Sequence, residues 1–294
     1  MNGQSNYITE VPWEETSTIW YVHVNDSYQK ICRRLKKPVR GRGPEPVLSD
    51  SEVITIALII ETFFQGHEEV GYAFVSQYLT DLFRNLIDLD RFNQRRRELV
   101  WFIEAIRRDL RDQIIDPTDR LRVADSAPVT TMTYTRGSRC KSMVGSDYFG
   151  VVTSKKGKFF GLRLHTTVTV DQLIDEWLVA PASTTDAKVL DELLLDCRDL
   201  AIMGDKAYND AELEQRLWRK RQIQLLPLRK DNQQAQWPDD IRPILGRVRH
   251  RVETVFSTLT TVFNIQRPRG RSLAGHVTRI ATCVLAHTLS FLML

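Results

Sequence analysis

The sequence predicts an α/β protein in two parts, an all-α N-terminal domain over residues 1–116 and a mixed-sheet domain over 117–294. Three observations predict it. Before Asp116-Pro117 the apolar residues recur at three- and four-residue steps; beyond it, short β-prone runs bounded by turn residues appear; and the later of these runs alternate with helical stretches. A chain of 294 residues has room for two domains of ordinary size.

Residues 13–35 carry the first helical pattern, and 36–46, with Pro38, Gly41, Gly43, Pro44 and Pro46, read as a linker. Ser49-Asp50-Ser51-Glu52 has the S-x-x-E spacing of a capping box and precedes an apolar run over 53–64. Helical patterns follow over 70–86 and 91–114, the latter with Leu99, Phe102, Ile103, Ile106 and Leu110 on one stripe. Strand-like runs occupy 120–129, 159–170, 176–180, 200–203 and 222–226, with helices over 185–197, 209–221 and about 246–263. Three strands followed by alternating helix and strand imply hairpins first and helices on the sheet faces later, the order of an RNase H-like fold. Residues 230–240 read as a polar surface loop. The last apolar stretch, 277–294, is interrupted by Arg279, His287 and several hydroxyl residues, which fits a buried helix better than a membrane span.

Lys and Arg total 41 against 37 Asp and Glu, a formal charge of +4 that identifies no partner by itself. The distribution is more informative. Arg33, Arg34, Lys36, Lys37, Arg40 and Arg42 form one basic stretch, and Arg267, Arg269 and Arg271 another. Such clusters suit either a solvated surface or a phosphate backbone. Cys32, Cys140, Cys197 and Cys283 lack the spacing of a disulfide framework or a zinc site, so a reducing cytoplasm is expected. The N-terminus lacks the basic start and apolar run of a secretory signal.

Three acids stand out by position. Asp125 interrupts Leu121-Arg122-Val123-Ala124, a strand that otherwise reads as largely buried, and burying an unpaired charge is costly. Asp205 is the first charged group beyond the apolar strand Leu200-Ala201-Ile202-Met203, and carboxyl ends of strands are where such sheets build sites. Glu253 borders the apolar stripe of the 246–263 helix, with Arg249 one turn earlier on its side. Singly, they read equally as a turn former, a helix cap and a surface ion-pair partner. Together, three converging carboxylates would repel one another unless cations lay between them, and hard oxygen donors suit Mg2+. Two such ions activate an attacking oxygen and stabilise a leaving one, which is phosphodiester chemistry.

At these residues the sequence resembles the Asp-Asp-Glu transposases of bacterial insertion sequences, most closely the family numbered 982 among them. Val123-Ala124-Asp125-Ser126-Ala127-Pro128 is similar to that family's first-strand segment. The stretch from Ser154-Lys155-Lys156-Gly157 to His165 resembles its second-strand hairpin, and Gly204-Asp205-Lys206-Ala207-Tyr208 its Gly-Asp-x-Gly-Tyr turn. Arg249-His250-Arg251-Val252-Glu253 resembles the helix of the last acid, and Arg267-Pro268-Arg269-Gly270-Arg271 a basic segment that follows. Ser49–Glu52 and Arg91-Phe92-Asn93 extend the likeness over most of the chain.

The resemblance implies an RNase H-like catalytic domain with Asp125, Asp205 and Glu253 as catalytic metal ligands, and two Mg2+ ions with Mn2+ able to substitute; the six His and four Cys contain no zinc-ligand grouping, so no zinc is expected. It also implies double-stranded DNA partners, the terminal inverted repeats and a target, bridged by a homodimer in a synaptic complex. Water attack frees a 3'-hydroxyl, which attacks target DNA. Arg95, Arg96, Arg97, Lys155, Lys156, Arg249, Arg267, Arg269 and Arg271 are the expected phosphate contacts. Residues 49–111 fit either a helix-turn-helix-like reader of the ends or a brace for the catalytic domain. Related transposases carry Tyr-x2-Arg-x3-Glu-x6-Lys where this chain has Gly246, Arg249, Glu253 and Thr260, and Ala207 replaces a usual Gly.

Among other polar residues, His165 is expected to serve structural hydrogen bonding, Asp186 to cap a helix, and Asp175 and Glu176 to lie on a hairpin exterior; Asp147 is an acid in a nearby loop. Two rival readings accompany the transposase: an RNase H-like nuclease that cuts without rejoining, and a transposase-derived DNA-binding protein that does not cut.

Overall fold

The structure, a computed structural model, describes residues 12–35, 44, 46–152, 157–229 and 236–292. Most of the expected 36–46 linker, the start of the 230–240 loop, and the cations Lys36, Lys37, Arg40, Arg42, Lys155 and Lys156 lie outside the described residues. The chain divides into two compact units. One runs through Ile114 and takes in the stretch from Ala274; the other is Ile115–Leu273.

The first unit is all α-helix: α1 (Trp13–Leu35), α2 (Asp50–Phe64), α3 (Glu68–Tyr78), α4 (Leu89–Glu98) and α5 (Val100–Ile114). The capping box starts α2 as the sequence predicts, with the Glu52 backbone N–H donating to Ser49 Oγ at 3.2 Å and the Ser49 N–H to Glu52 Oε2 at 2.6 Å. From Val53 to Thr62, α2 is buried on every side. The 70–86 pattern ends earlier, at Tyr78, and the 91–114 pattern is broken at Leu99, whose side chain turns into the core between α4 and α5. No Pro or Gly marks that break, so periodicity alone reads through it.

The C-terminal helix, to be called α9 in chain order (Leu273–Leu289), packs with the first unit, whereas the sequence reading placed it in the second. Its apolar residues Ile280, Val284, Leu285 and Leu289 are buried there, together with an ion pair. Glu61 of α2 is fully buried and accepts from Arg279 Nε at 3.0 Å and Nη2 at 2.7 Å and from Arg96 Nη1 at 3.3 Å. The turn after α2 makes room for this. A Cβ on Gly66 would lie 1.6 Å from Arg279 Nη2, and Gly66 has a φ of +70°. Thr278, Thr282 and Thr288 satisfy their buried hydroxyls on carbonyls four residues back. No described helix is long and apolar enough to cross a membrane.

These pairings correct two expectations. Arg96 is buried on Glu61 and Glu68, and Arg95 is held by the Leu48 carbonyl and, at 2.7 Å, by Asp50 Oδ1. Both guanidiniums serve the interior of the helical unit, so neither is presented to a phosphate. Of the three adjacent arginines, Arg97 alone is exposed.

Burial also gives this unit a defined acid sensitivity. Desolvation first, then the charges of Arg279 and Arg107, push His276 and His287 respectively down to about pKa 4. The unfolded chain takes up these two protons near pH 6.5, the folded unit only near 4, so stability falls as pH drops through that window. The loss is expected to reach roughly 3 kcal/mol per histidine by pH 4. Urea unfolding between pH 7.5 and 4.5 checks it; a His276→Leu, His287→Leu protein should show a flatter pH dependence.

The second unit holds a mixed sheet of β1 (Leu121–Met132), β2 (Phe149–Val152), β3 (Gly157–Thr169), β4 (Ile174–Pro181), β5 (Ala201–Gly204) and β6 (Gln224–Pro227). β1 pairs antiparallel with β3, and β2 and β4 pair antiparallel with successive stretches of β3. On its other side β1 pairs parallel with β5, and β5 with β6. Together with α6 (Asp186–Leu193), α7 (Ala211–Arg221) and α8 (Ile241–Thr261), this is the mixed α/β, RNase H-like arrangement that the element order predicts. Leu190, Leu193, Leu213 and Leu217 of α6 and α7 bury one sheet face with Ala124 and Ile202. α8 packs against β1, β3 and β5, with Val252, Val255 and Leu259 buried.

Asp175 and Glu176 are a further correction. Both are buried in β4 rather than on a hairpin exterior, because Arg122 Nε of β1, itself buried, reaches Asp175 Oδ2 at 2.6 Å. The Glu176 backbone N–H donates to Thr167 Oγ1 at 3.1 Å.

Candidate active site

Asp125 and Asp205 owe their proximity to strand register. Val123 of β1 stands beside Met203 of β5; Asp125 lies two residues further along β1, and Asp205 follows the last residue of β5, Gly204, at the start of the next turn. Neighbouring parallel strands run about 4.8 Å apart, so matched positions carry side chains on one face. Asp125 Oδ1 accepts from the Ser126 backbone N–H at 2.8 Å, and Asp205 Oδ1 from the Ala207 N–H at 2.8 Å. The latter bond caps a single 3-10 turn, Lys206–Tyr208, so the capping role read for Asp205 coexists with its place at the strand end. Ala207 has no positive φ in this turn, which explains why a residue other than glycine fits.

Tyr208 fixes the turn to the sheet. Its ring is buried against Gly204, where an added Cβ would come within 2.5 Å of Cδ2. Burial, then the charges of Asp186, Asp125 and Asp205, holds the Tyr208 hydroxyl well above its usual pKa. All three acids are therefore felt at one buried phenol.

Helix α8 adds the third acid of the sequence reading. Arg249 Nη2 lies 3.9 Å from Asp125 Oδ2 and 3.6 Å from Glu253 Oε1, so one guanidinium stands between the two carboxylates. Glu253 is half exposed and its other oxygen meets His250 Nδ1 at 2.8 Å. Asp125, in contrast, is sunk into the sheet. Burial raises its pKa to about 6, the Ser126 N–H and Arg249 oppose the rise, and Asp205 and Asp186 add to it.

This environment bears on a divalent cation. The donors are carboxylate oxygens, the type a hard cation takes, and Asp125 is a buried acid whose charge is incompletely balanced. Asp125 and Asp205 fit as a pair. Among the described residues, however, no three Asp, Glu, His or Cys side chains converge on one metal-sized point. Glu253 is linked to Asp125 through Arg249 instead of joining the pair.

Two residues near the site carry more than their sequence positions indicated. His165 of β3 is almost fully buried, and Asp186, in the first turn of α6, approaches it at 3.2 Å, from Oδ1 to Nδ1. The approach is off the line of a good hydrogen bond. Burial pushes Asp186 upward, but His165, Ser126 and Arg163 outweigh it and hold the carboxyl below the ordinary range. The available signal was a histidine in the strand-like run 159–170; nothing in the sequence tied it to Asp186.

Of the expected phosphate contacts, Arg249 is engaged by the two acids, whereas Arg267, Arg269 and Arg271 are exposed on the segment after α8, without ion-pair partners among the described residues. Arg247 and Arg251 are exposed on α8 as well. If Arg267, Arg269 and Arg271 meet DNA, replacing all three with Gln should lower the slope of log affinity against log salt by about 3. Titration of a labelled duplex at four salt concentrations reads that slope directly.

A family model described as a transposase DDE domain matches residues 116–289, which takes in every sheet strand and the acids discussed above. No curated protein matches the chain.

Proposed function

Because the chain belongs to the transposase DDE-domain family, we propose that it cleaves the ends of an insertion sequence and joins the freed 3'-hydroxyl to target DNA. Asp125, Asp205 and Glu253 are the acids we assign to this chemistry. The observation that carries the reading is the placement of Asp125 on β1 and of Asp205 just past the end of β5, the parallel neighbour of β1, with Arg249 of α8 between Asp125 and Glu253. The motif likeness to the insertion-sequence 982 family supports the finer assignment.

Divalent metal ions serve this family, and when bound they supply activation of the attacking oxygen and stabilisation of the leaving one. Asp125 and Asp205 would hold such an ion, Mg2+ or Mn2+, from β1 and from the turn that follows β5, each carboxylate already oriented by a backbone N–H. Their rigidity matters because a misplaced ligand loses the alignment on which in-line displacement depends. Glu253 is carried by a helix and held by Arg249 and His250, so it completes the set only when Arg249 turns to another anion and His250 releases it. A DNA phosphate is the anion at hand. Arg249 then exchanges two carboxylates for phosphate oxygens, which a guanidinium binds in the same forked geometry. The exposed Arg267, Arg269 and Arg271 would track the backbone beyond the cut. A homodimer bridging two ends, and end recognition by the helical unit, complete the proposal.

The test incubates purified full-length protein with Mg2+, labelled candidate terminal repeats and a plasmid target. Cleaved ends joined to plasmid are the expected products. Cleavage without joining would replace the reading with that of a nuclease, and binding with neither reaction with that of a DNA-binding protein.

A further inference from the structure

β3 pairs with β1 so that His165 stands opposite Ser126 and Thr166 opposite Asp125. Opposed residues share a sheet face and successive ones alternate. His165 and Ser126 therefore project with Ala124 toward α6 and α7, and Asp125 toward α8. The reverse face of β1 directly behind Asp125 thus holds an imidazole and, 3.2 Å away, the Asp186 carboxylate.

That is an expensive way to fill a core. His165 is 1% exposed and neither ring nitrogen has a well-formed hydrogen bond, while Ala124, Leu190 and Ile202 of the core it faces are buried and apolar. A leucine would fill the slot without desolvating polar atoms. The contacts lead toward the site: His165 stands opposite Ser126, whose hydroxyl accepts from Arg163 Nη1 at 3.3 Å, and whose backbone N–H holds Asp125 Oδ1 at 2.8 Å. Ser126 is the joint between the pair and the acid.

We propose that His165 and Asp186 are positioning residues that clamp β1 at Ser126 from behind and so fix the Asp125 carboxylate toward Asp205. The proposal rests on the assignment of Asp125 as a metal ligand. Residues that orient a ligand without touching the ion commonly govern its affinity by 10- to 100-fold, roughly the range expected here. The pair acts on the protein alone, before DNA arrives, and so is measurable without turnover.

Mn2+ alone is titrated into the full-length protein and free Mn2+ is read by electron paramagnetic resonance, alongside thermal melting. Asp125→Asn should abolish binding at the site. Asp186→Asn and His165→Leu should each weaken it about tenfold. His165→Asn, which keeps an N–H donor near the Nδ1 position, should retain most of it. Binding is read well below the melting temperature of every variant, so that weaker affinity in a folded protein separates positioning from packing. If Asp125→Asn abolishes binding while Asp186→Asn and His165→Leu bind as wild type, the positioning role is overturned and the ligand assignment stands. Equal weakening in His165→Asn and His165→Leu, or weakening that follows a lowered melting temperature, also overturns it. Unchanged binding in Asp125→Asn overturns the ligand assignment and the clamp with it.

Discussion

Asp125→Asn and Asp205→Asn, each made singly in the full-length chain, are expected to lower strand cleavage by at least about a thousandfold, or roughly 4 kcal/mol of barrier. The amide keeps the size of the carboxylate and loses the charge that a divalent cation requires. Folding should survive, and for Asp125 the metal-free protein should gain stability. Its pKa is raised in the folded state to about 6, so ionising it costs the fold. That cost is absent below the ordinary carboxylate range near pH 4 and fully present above about pH 6, where it amounts to at most roughly 3 kcal/mol. Asn escapes it. Inactivity combined with an unchanged or raised melting temperature at pH 7.5 in chelator is the expected signature. Residual cleavage within tenfold of wild type would remove either residue from the reaction.

Glu61→Ala is expected to destabilise the helical unit by about 3–5 kcal/mol, because it strands two buried guanidiniums rather than merely deleting a contact. Urea unfolding of the full chain gives the value. Replacing Glu61 and Arg279 together with Met should recover much of the loss, since an apolar pair of similar volume fills the site without desolvating charge. A loss below about 1 kcal/mol in Glu61→Ala, the worth of an exposed pair, would mean that the arginines find another partner. The same geometry bears on how the helical unit is studied. A fragment ending near residue 116 lacks Arg279, so Glu61 loses its bidentate partner and DNA-binding tests belong on the whole chain.

What the sequence made legible follows from how local each signal is. The α2 cap was readable because Ser49 and Glu52 satisfy each other's backbone within four residues. The strand cores at Val123–Ala124 and Ile202–Met203 were readable because burial on both faces demands consecutive apolar residues. Asp125 and Asp205 were conspicuous as charges at the limits of such runs. Their nearness was not visible, since it depends on a parallel pairing of β1 with β5, segments some 80 positions apart. Arg95 and Arg96 were misread for the same reason: an arginine run has the same appearance whether its partners are phosphates or Asp50, Glu61 and Glu68. Glu61 and Arg279, the ion pair buried between α2 and α9, are separated by 218 positions. The His165–Asp186 contact likewise joins a strand to a helix start that no periodicity connects.

Diffraction from crystals of the full-length protein bound to a terminal-repeat duplex and soaked in Mn2+, recorded at the manganese absorption edge, tests the core of this account most directly. An anomalous peak bridging the side chains of Asp125 and Asp205, with Glu253 turned from Arg249 toward it, is the predicted result. Manganese bound elsewhere on the DNA complex, with both aspartates bare, would contradict it.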